Sequence, residues 1–311
     1  MLLRTRRISG SSSSPLPTKI VASKPPSRTT TSKAWNPSSN GKAGPKKVDK
    51  LASKDEKSLA KRKWQAWSQH ATSSPYPDFG SPSPRECAEA LAILTKMHGA
   101  EVKQELEDFN TSQNISSVLD AMIFATLSQA TSWSNQKRAM DSMKATYGSA
   151  FAYDAIKAGG LQKLQDTIRC GGLHVRKSKI IFSILEQVRE RHGSWDLNYL
   201  FQERNEEVMK ELMSYKYIGP KSAFVVMGLC LKRNVFTVDT HVHRISGLWG
   251  WRPATATPEK TQSHLDAVIP NEFKSDLHFL LIAHGRTCPA CRGGSKGRHK
   301  CEVKDRLKGL N

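Results

Sequence analysis

The chain has 311 residues, 38% of them hydrophobic, with 48 Lys and Arg against 28 Asp and Glu and a net charge of +20. This length suits one globular body of about 200 residues with unstructured extensions rather than two large domains, and the excess of cations favours a polyanionic partner such as nucleic acid. Membrane insertion, secretion and a disulfide framework are not expected. No run approaches about 18 apolar residues, Arg4, Arg6 and Arg7 interrupt any apolar signal core, and most of the six cysteines are isolated.

Residues 1–84 hold 16 Lys and Arg but 4 Asp and Glu, and are rich in Ser, Thr and Pro. Too little apolar surface is available there to offset the entropy of ordering, so residues 1–83 are expected to be a disordered basic tail, dispensable for folding. The acid-free start resembles a mitochondrial transit peptide, whereas Lys46-Lys47 and Lys61-Arg62-Lys63 resemble nuclear import patches. The nucleus is the preferred location and the mitochondrion the alternative. Trp64, Trp67, Tyr76 and Phe79 suggest that the end of the tail docks on the folded body.

Order is expected from Ser83-Pro84, a helix N-cap and first-turn proline, followed by Cys87, Ala88, Leu91, Leu94 and Met97 at helical spacing and a stop at Gly99. Leu119, Met122, Ile123, Thr126 and Leu127 share one face of the next helix. Residues 161–168, 180–188, 208–213, 223–231, 265–269 and 273–283 read as further helical segments, and no convincing alternating strand separates them. The fold class is therefore all-α, with about ten helices in a body spanning residues 84–311.

The stretch from Glu206 to Arg244 carries the chemistry. It reads as helix, tight turn, helix and acid, the hairpin covering about residues 206–232. Proline at a first helical position has its φ preset and gives up no needed N–H, so Gly219-Pro220 opens a second helix with Lys221 in its first turn. The positive end of the helix dipole and the apolar run from Ala223 to Leu231 both disfavour an added positive charge there. Free N–H groups at such a turn suit phosphate oxygens and grip a nucleic-acid backbone without reading its sequence.

Hairpin, Lys221 and Val238-Asp239-Thr240-His241 together resemble the helix-hairpin-helix DNA glycosylase superfamily, and within it the endonuclease III branch. The resemblance implies a fold of two helical subdomains, with Lys221 as catalytic lysine and Asp239 as catalytic acid, 18 residues apart as in that branch. Leu127-Ser128-Gln129-Ala130-Thr131 resembles the segment whose glutamine fills the gap in the duplex, and Gly172-Leu173 the turn whose leucine wedges beside the lesion. Ile218, Gly219 and His241 complete the implied DNA-binding set. The implied activity is base excision on double-stranded DNA containing a damaged base, with a β-elimination nick at the abasic site, by a monomer. The alternatives are a glycosylase that activates water without nicking, and a non-catalytic lesion-binding protein.

Two departures stand out. Tyr217 occupies the place of a hairpin glycine, and the four-cysteine iron–sulfur loop of the family is answered by Cys288, Cys291 and Cys301 alone, in the basic segment 284–311. No cofactor is expected to be required and an iron–sulfur cluster is expected to be absent, while zinc is a possible occupant if His299 or His284 adds a fourth ligand. Each residue also has a plainer reading. Lys221 could be a solvated lysine, Asp239 only a helix N-cap, Gln129 a helix-end amide, and Leu173 a core leucine. His241 and His243 read as packed or phosphate-facing rather than metal-binding, and Trp249 and Trp251 as fixing a bend.

Overall fold

The computed structural model describes residues 48–113, 115–295 and 299–310. Among these residues there are twelve α-helices and no strand, and no helix is long and apolar enough to cross a membrane. The helices surround two cores. The first gathers Met122, Ile123, Leu164, Ile181, Leu212 and Phe224 from α3 (Val118–Leu127), α4 (Trp133–Tyr147), α5 (Tyr153–Thr167), α6 (His174–His192), α7 (Asn205–Ser214) and α8 (Pro220–Leu229). The second gathers Leu94, Val242, Trp251, Leu277 and Val303 from α2 (Pro84–Gln113), α9 (Thr240–Trp249), α10 (Pro258–Val268), α11 (Asn271–Thr287) and α12 (Glu302–Leu307). The first core is thus inserted between α2 and α9, and the chain returns to the second through the irregular segment after α8.

Local sequence explains the main boundaries. Ser83 accepts from the Glu86 N–H and Glu86 returns a bond to the Ser83 N–H at 2.7 Å, a reciprocal cap that starts α2. The helix does not stop at Gly99 but runs on to Gln113. A mid-helix glycine costs only about 1 kcal/mol, which packing of α2 along α11 outweighs. Helix α3 is buried at all of its positions, so its apolar pattern runs around the whole cylinder, and Ser117 and Asp120 box its start.

The ordered region begins well before Ser83, correcting the expected disordered span of 1–83. Residues 48–68 form α1, and its Trp64 and Trp67 pack into the first core. Tyr76 and Phe79 then lie edge-on to His264, at 5.8 and 5.5 Å between ring centroids. Docking of these four aromatics agrees with the sequence expectation and supplies the burial that overall composition concealed. The expectation for residues 1–47 falls outside the described residues.

Lys63 on α1 has a specific task. Its Nζ donates to the Tyr215 carbonyl at 3.0 Å and the Ile218 carbonyl at 2.7 Å, bracketing the turn between α7 and α8. Inside that bracket Tyr217 takes a left-handed backbone, φ 70, which costs an L-residue roughly 1–2 kcal/mol. Burial, with a smaller push from Arg191, lowers the Lys63 amine to about 8. One of the two basic patches read as import signals therefore has its third residue committed to the fold.

Replacing Lys63 with Met should leave the Ile218 carbonyl unpaired and lower stability by about 1–3 kcal/mol, read as a fall in Tm. The unfolded amine keeps its proton above the folded value of about 8, so between there and its ordinary value of 10.5 folding becomes more favourable as pH rises. The Tm advantage of wild type over Lys63→Met should accordingly widen from pH 7.5 towards pH 10. A constant or shrinking gap would contradict the lowered Lys63 amine. Tyr217→Gly, by contrast, should raise stability by about 1 kcal/mol in a denaturant melt, because glycine takes this φ without strain.

Candidate active site

The hairpin presents its lysine cleanly. Gly219 caps α8 with extended backbone, no side chain bonds to that end, and Pro220 occupies the first position. Ile218 is buried and Gly219 half-buried, while Lys221 is exposed. An exposed amine is free to reach a ligand, and the desolvation that favours attack has to come from the bound substrate.

Asp239 stands at the start of α9, in the second core. Its Oδ1 accepts from the Val242 N–H at 2.8 Å, and the residue is half-buried. The N-cap role read from the sequence is thus present, and it uses only one carboxylate oxygen. The segment before it has no regular secondary structure and no neighbouring strand among the described residues. Side chains of α10 and α11 take the place of one. Asp266 accepts from the Phe236 N–H at 2.6 Å, Gln262 bonds the Phe236 carbonyl and accepts from the Val238 N–H at 2.7 Å, and Lys274 reaches the Asn234 carbonyl at 3.3 Å. Asp266 and Lys274 also pair with each other at 3.2 Å, and burial raises the Asp266 carboxyl although Lys274 pulls it back.

His278, on α11, was given no role by the sequence. Its Nδ1 lies 2.8 Å from the Thr237 carbonyl, so that nitrogen carries the proton and donates, leaving Nε2 as an acceptor in the neutral ring. Burial is the main cause that keeps it below the ordinary imidazole range; the charge of Asp239 acts upward on it and that of Lys221 downward.

Gln129 and Leu173 sit on adjoining turns. Gln129 follows α3, half-buried, and precedes Ala130 at φ 47; Leu173 begins α6 at φ 49 and is 49% exposed. An apolar leucine held outside the core in a left-handed conformation is a feature that folding alone does not favour. Buried Lys177 donates to the Leu127 carbonyl at 2.7 Å and the Gly171 carbonyl at 3.2 Å, and the Thr131 hydroxyl also reaches the Gly171 carbonyl at 2.9 Å. These bonds tie the two turns together. Leu173 and exposed Tyr217 share an open groove with Val175, Arg176 and Lys179, so this face joins apolar side chains to cations.

His241 is less free than the sequence suggested. It packs against Gly285, where an added Cβ would lie 2.7 Å from its Nδ1, and that nitrogen accepts from Arg244 at 3.1 Å. Arg244 also donates to the carbonyls of Gly285 at 3.0 Å and Cys291 at 2.7 Å. Just beyond, His284, Cys288, Cys291 and Cys301 are all buried, with one ligand atom from each lying within 4.8 Å of all the others. His284 thus completes the group, and exposed His299 is not part of it. Trp249 and Trp251 are buried and pack edge to face at 5.3 Å, in keeping with a structural role.

Residues 123–271 match the sequence profile described as HhH-GPD superfamily base excision DNA repair protein. An Arabidopsis thaliana protein, itself named a DNA glycosylase only by inference, is 35% identical over 241 residues, covering 70% of this chain and 81% of that protein. Endonuclease III of Thermotoga maritima is 28% identical over 165 residues, 53% of this chain and 71% of the enzyme. The Arabidopsis DNA glycosylase/AP lyase ROS1 is 32% identical over 172 residues, 47% of this chain but 12% of that far longer protein. Among solved structures, endonuclease III in a trapped covalent intermediate with DNA matches with a TM-score of 0.53 at 20% identity, over 73% of this chain and 99% of that one, a likeness of fold. Two helical cores, the hairpin and these similarities make the chain a member of the HhH-GPD superfamily of base excision DNA repair proteins, in its endonuclease III-like branch.

Proposed function

We propose that this chain excises a damaged base from double-stranded DNA and then cuts the strand at the abasic site by β-elimination, with Lys221 as nucleophile and Asp239 as its electrostatic and proton-transfer partner. The observation that carries this reading is the exposed Lys221 in the first turn of α8, at a helix end that no side chain caps, together with Asp239, whose N-cap bond uses a single carboxylate oxygen. A protein that only bound lesions would need neither an exposed lysine at the hairpin helix nor a carboxylate with one oxygen left over.

In the proposed reaction the damaged nucleotide leaves the stack, Gln129 fills its place and Leu173 wedges into the duplex. The start of α8, which no side chain caps, holds a phosphate through backbone N–H groups next to Gly219, and His241 is a further phosphate contact. The Lys221 amine bonds to the sugar C1′ as the bond to the base breaks, and the electron pair leaves with the base. Asp239 stabilises the developing positive charge and accepts a proton from the attacking amine. Ring opening gives an imine, which acidifies a C2′ proton; its loss expels the 3′ phosphate and nicks the strand. We further propose that the protein acts as a monomer and in the nucleus.

Borohydride added during turnover on a duplex with a damaged base, and in parallel on an abasic duplex, should fix the protein covalently to DNA by reducing the imine. Lys221→Gln should give no adduct, no base release and near-normal duplex binding. Base release by wild type without any trapping would instead favour the water-activating alternative. Asp239→Asn preserves the helix cap, because asparagine caps as well as aspartate, so it isolates the charge. That variant should keep its Tm and lose roughly 100-fold or more in turnover; equal turnover would remove Asp239 from the chemistry.

A further inference from the structure

The terminal cysteine group does not match the metal group its family position implies. Thiolates at the corners of a four-iron cluster stand about 6 Å apart, since the iron–sulfur cube lies between them. Here the four ligand atoms fit within 4.8 Å, which leaves no volume for a cube, and one of the four is an imidazole nitrogen. A tetrahedron about a single zinc, with bonds of about 2.0–2.3 Å, has edges of roughly 3.5–3.8 Å. The 3.4 Å between Cys301 Sγ and His284 Nε2 is already close to such an edge.

We propose that His284, Cys288, Cys291 and Cys301 hold one structural zinc ion, and that His98 is the outer residue that orients His284. Local structure delivers each ligand. His284 and Cys288 are one turn apart at the end of α11, Cys291 follows in a tight turn closed by its N–H on the Cys288 carbonyl at 3.1 Å, and Cys301 caps α12. The Lys304 N–H points at Cys301 Sγ from 3.5 Å, as backbone donors do towards metal-bound thiolates. All four side chains are sealed from solvent, His284 completely. Three thiols and an imidazole buried together, in reduced form, make a soft donor set that selects zinc over harder cations.

The two histidines settle the tautomer. His284 can bind metal through Nε2 only if Nδ1 carries its proton, and Nδ1 lies 3.0 Å from His98 Nε2, which then accepts. His98 is 8% exposed and belongs to α2, so the ion would bind α11, the loop and α12 to the far side of the second core.

Full-length protein purified with both zinc and iron in the growth medium, aerobically and anaerobically, should contain about one zinc per chain by elemental analysis and lack cluster absorption. Cobalt substitution should give the intense visible bands of a tetrahedral thiolate site, and a strong chelator should lower Tm. Cys301→Ser should lose the ion, with exposed Cys170→Ser as the unaffected control. His98→Ala should retain the ligands but bind zinc about 10–100-fold more weakly, and His98→Gln, which can accept the same proton, should recover much of that loss. About four irons per chain after anaerobic purification would overturn the proposal. So would a folded wild type that binds zinc no more tightly than Cys301→Ser. Unchanged zinc affinity in a folded His98→Ala would remove His98 from the site.

Discussion

The position of Asp239 depends on how residues 234–238 satisfy their backbone without a partner strand. Phe236 and Val238 are buried, and an unpaired buried amide or carbonyl costs about 1–3 kcal/mol, so this crossing between the cores could not persist bare. Gln262, Asp266, Lys274 and His278 supply the missing bonds from two helices. Because each bond fixes one peptide, this path is held in one place and α9 begins where it ends. An acid at a helix N-cap is ordinary; here the approach to it is fixed from both α10 and α11, so its position is set by the second core rather than by the cap alone.

The hairpin shows a different kind of compensation. Glycine at position 217 would accept φ 70 without strain, and tyrosine does not. The turn keeps its shape because Lys63 grips the carbonyls on both sides, while Trp64 and Trp67 anchor the helix that brings Lys63 there. An outside clamp thus substitutes for intrinsic backbone freedom. It also turns Tyr217 outwards beside Leu173, enlarging the apolar part of a face otherwise furnished with cations.

What could be read from the chain follows the range of each interaction. The helix-start position of Lys221 and the N-cap position of Asp239 were legible because a Gly-Pro helix start and an N-cap aspartate are local signals, and the helical class was legible from periodicity. Lys63, His98, Lys177 and His278 were not, since each acts on a segment distant in sequence and carries no local signature: Lys63 lies 152 and 155 residues from its acceptors. Composition misjudged residues 48–83 for a related reason. A lysine-rich helix with two tryptophans averages as hydrophilic, yet those two side chains are enough to seat it once a groove exists to receive them.

Arg244 joins the terminal cysteine loop to α9. Its guanidinium reaches the Cys291 carbonyl, the Gly285 carbonyl and His241 Nδ1 at once, and it belongs to the helix that Asp239 caps. Arginine only donates, so His241 must accept through Nδ1, which leaves its Nε2 protonated in the neutral ring and able to donate outward. The loop's geometry therefore sets both the seat of α9 and the hydrogen-bonding sense of a histidine two residues from Asp239. A ligand that tightened the cysteines would stiffen this chain of contacts without entering the reaction, and the distance over which it acts is one helix.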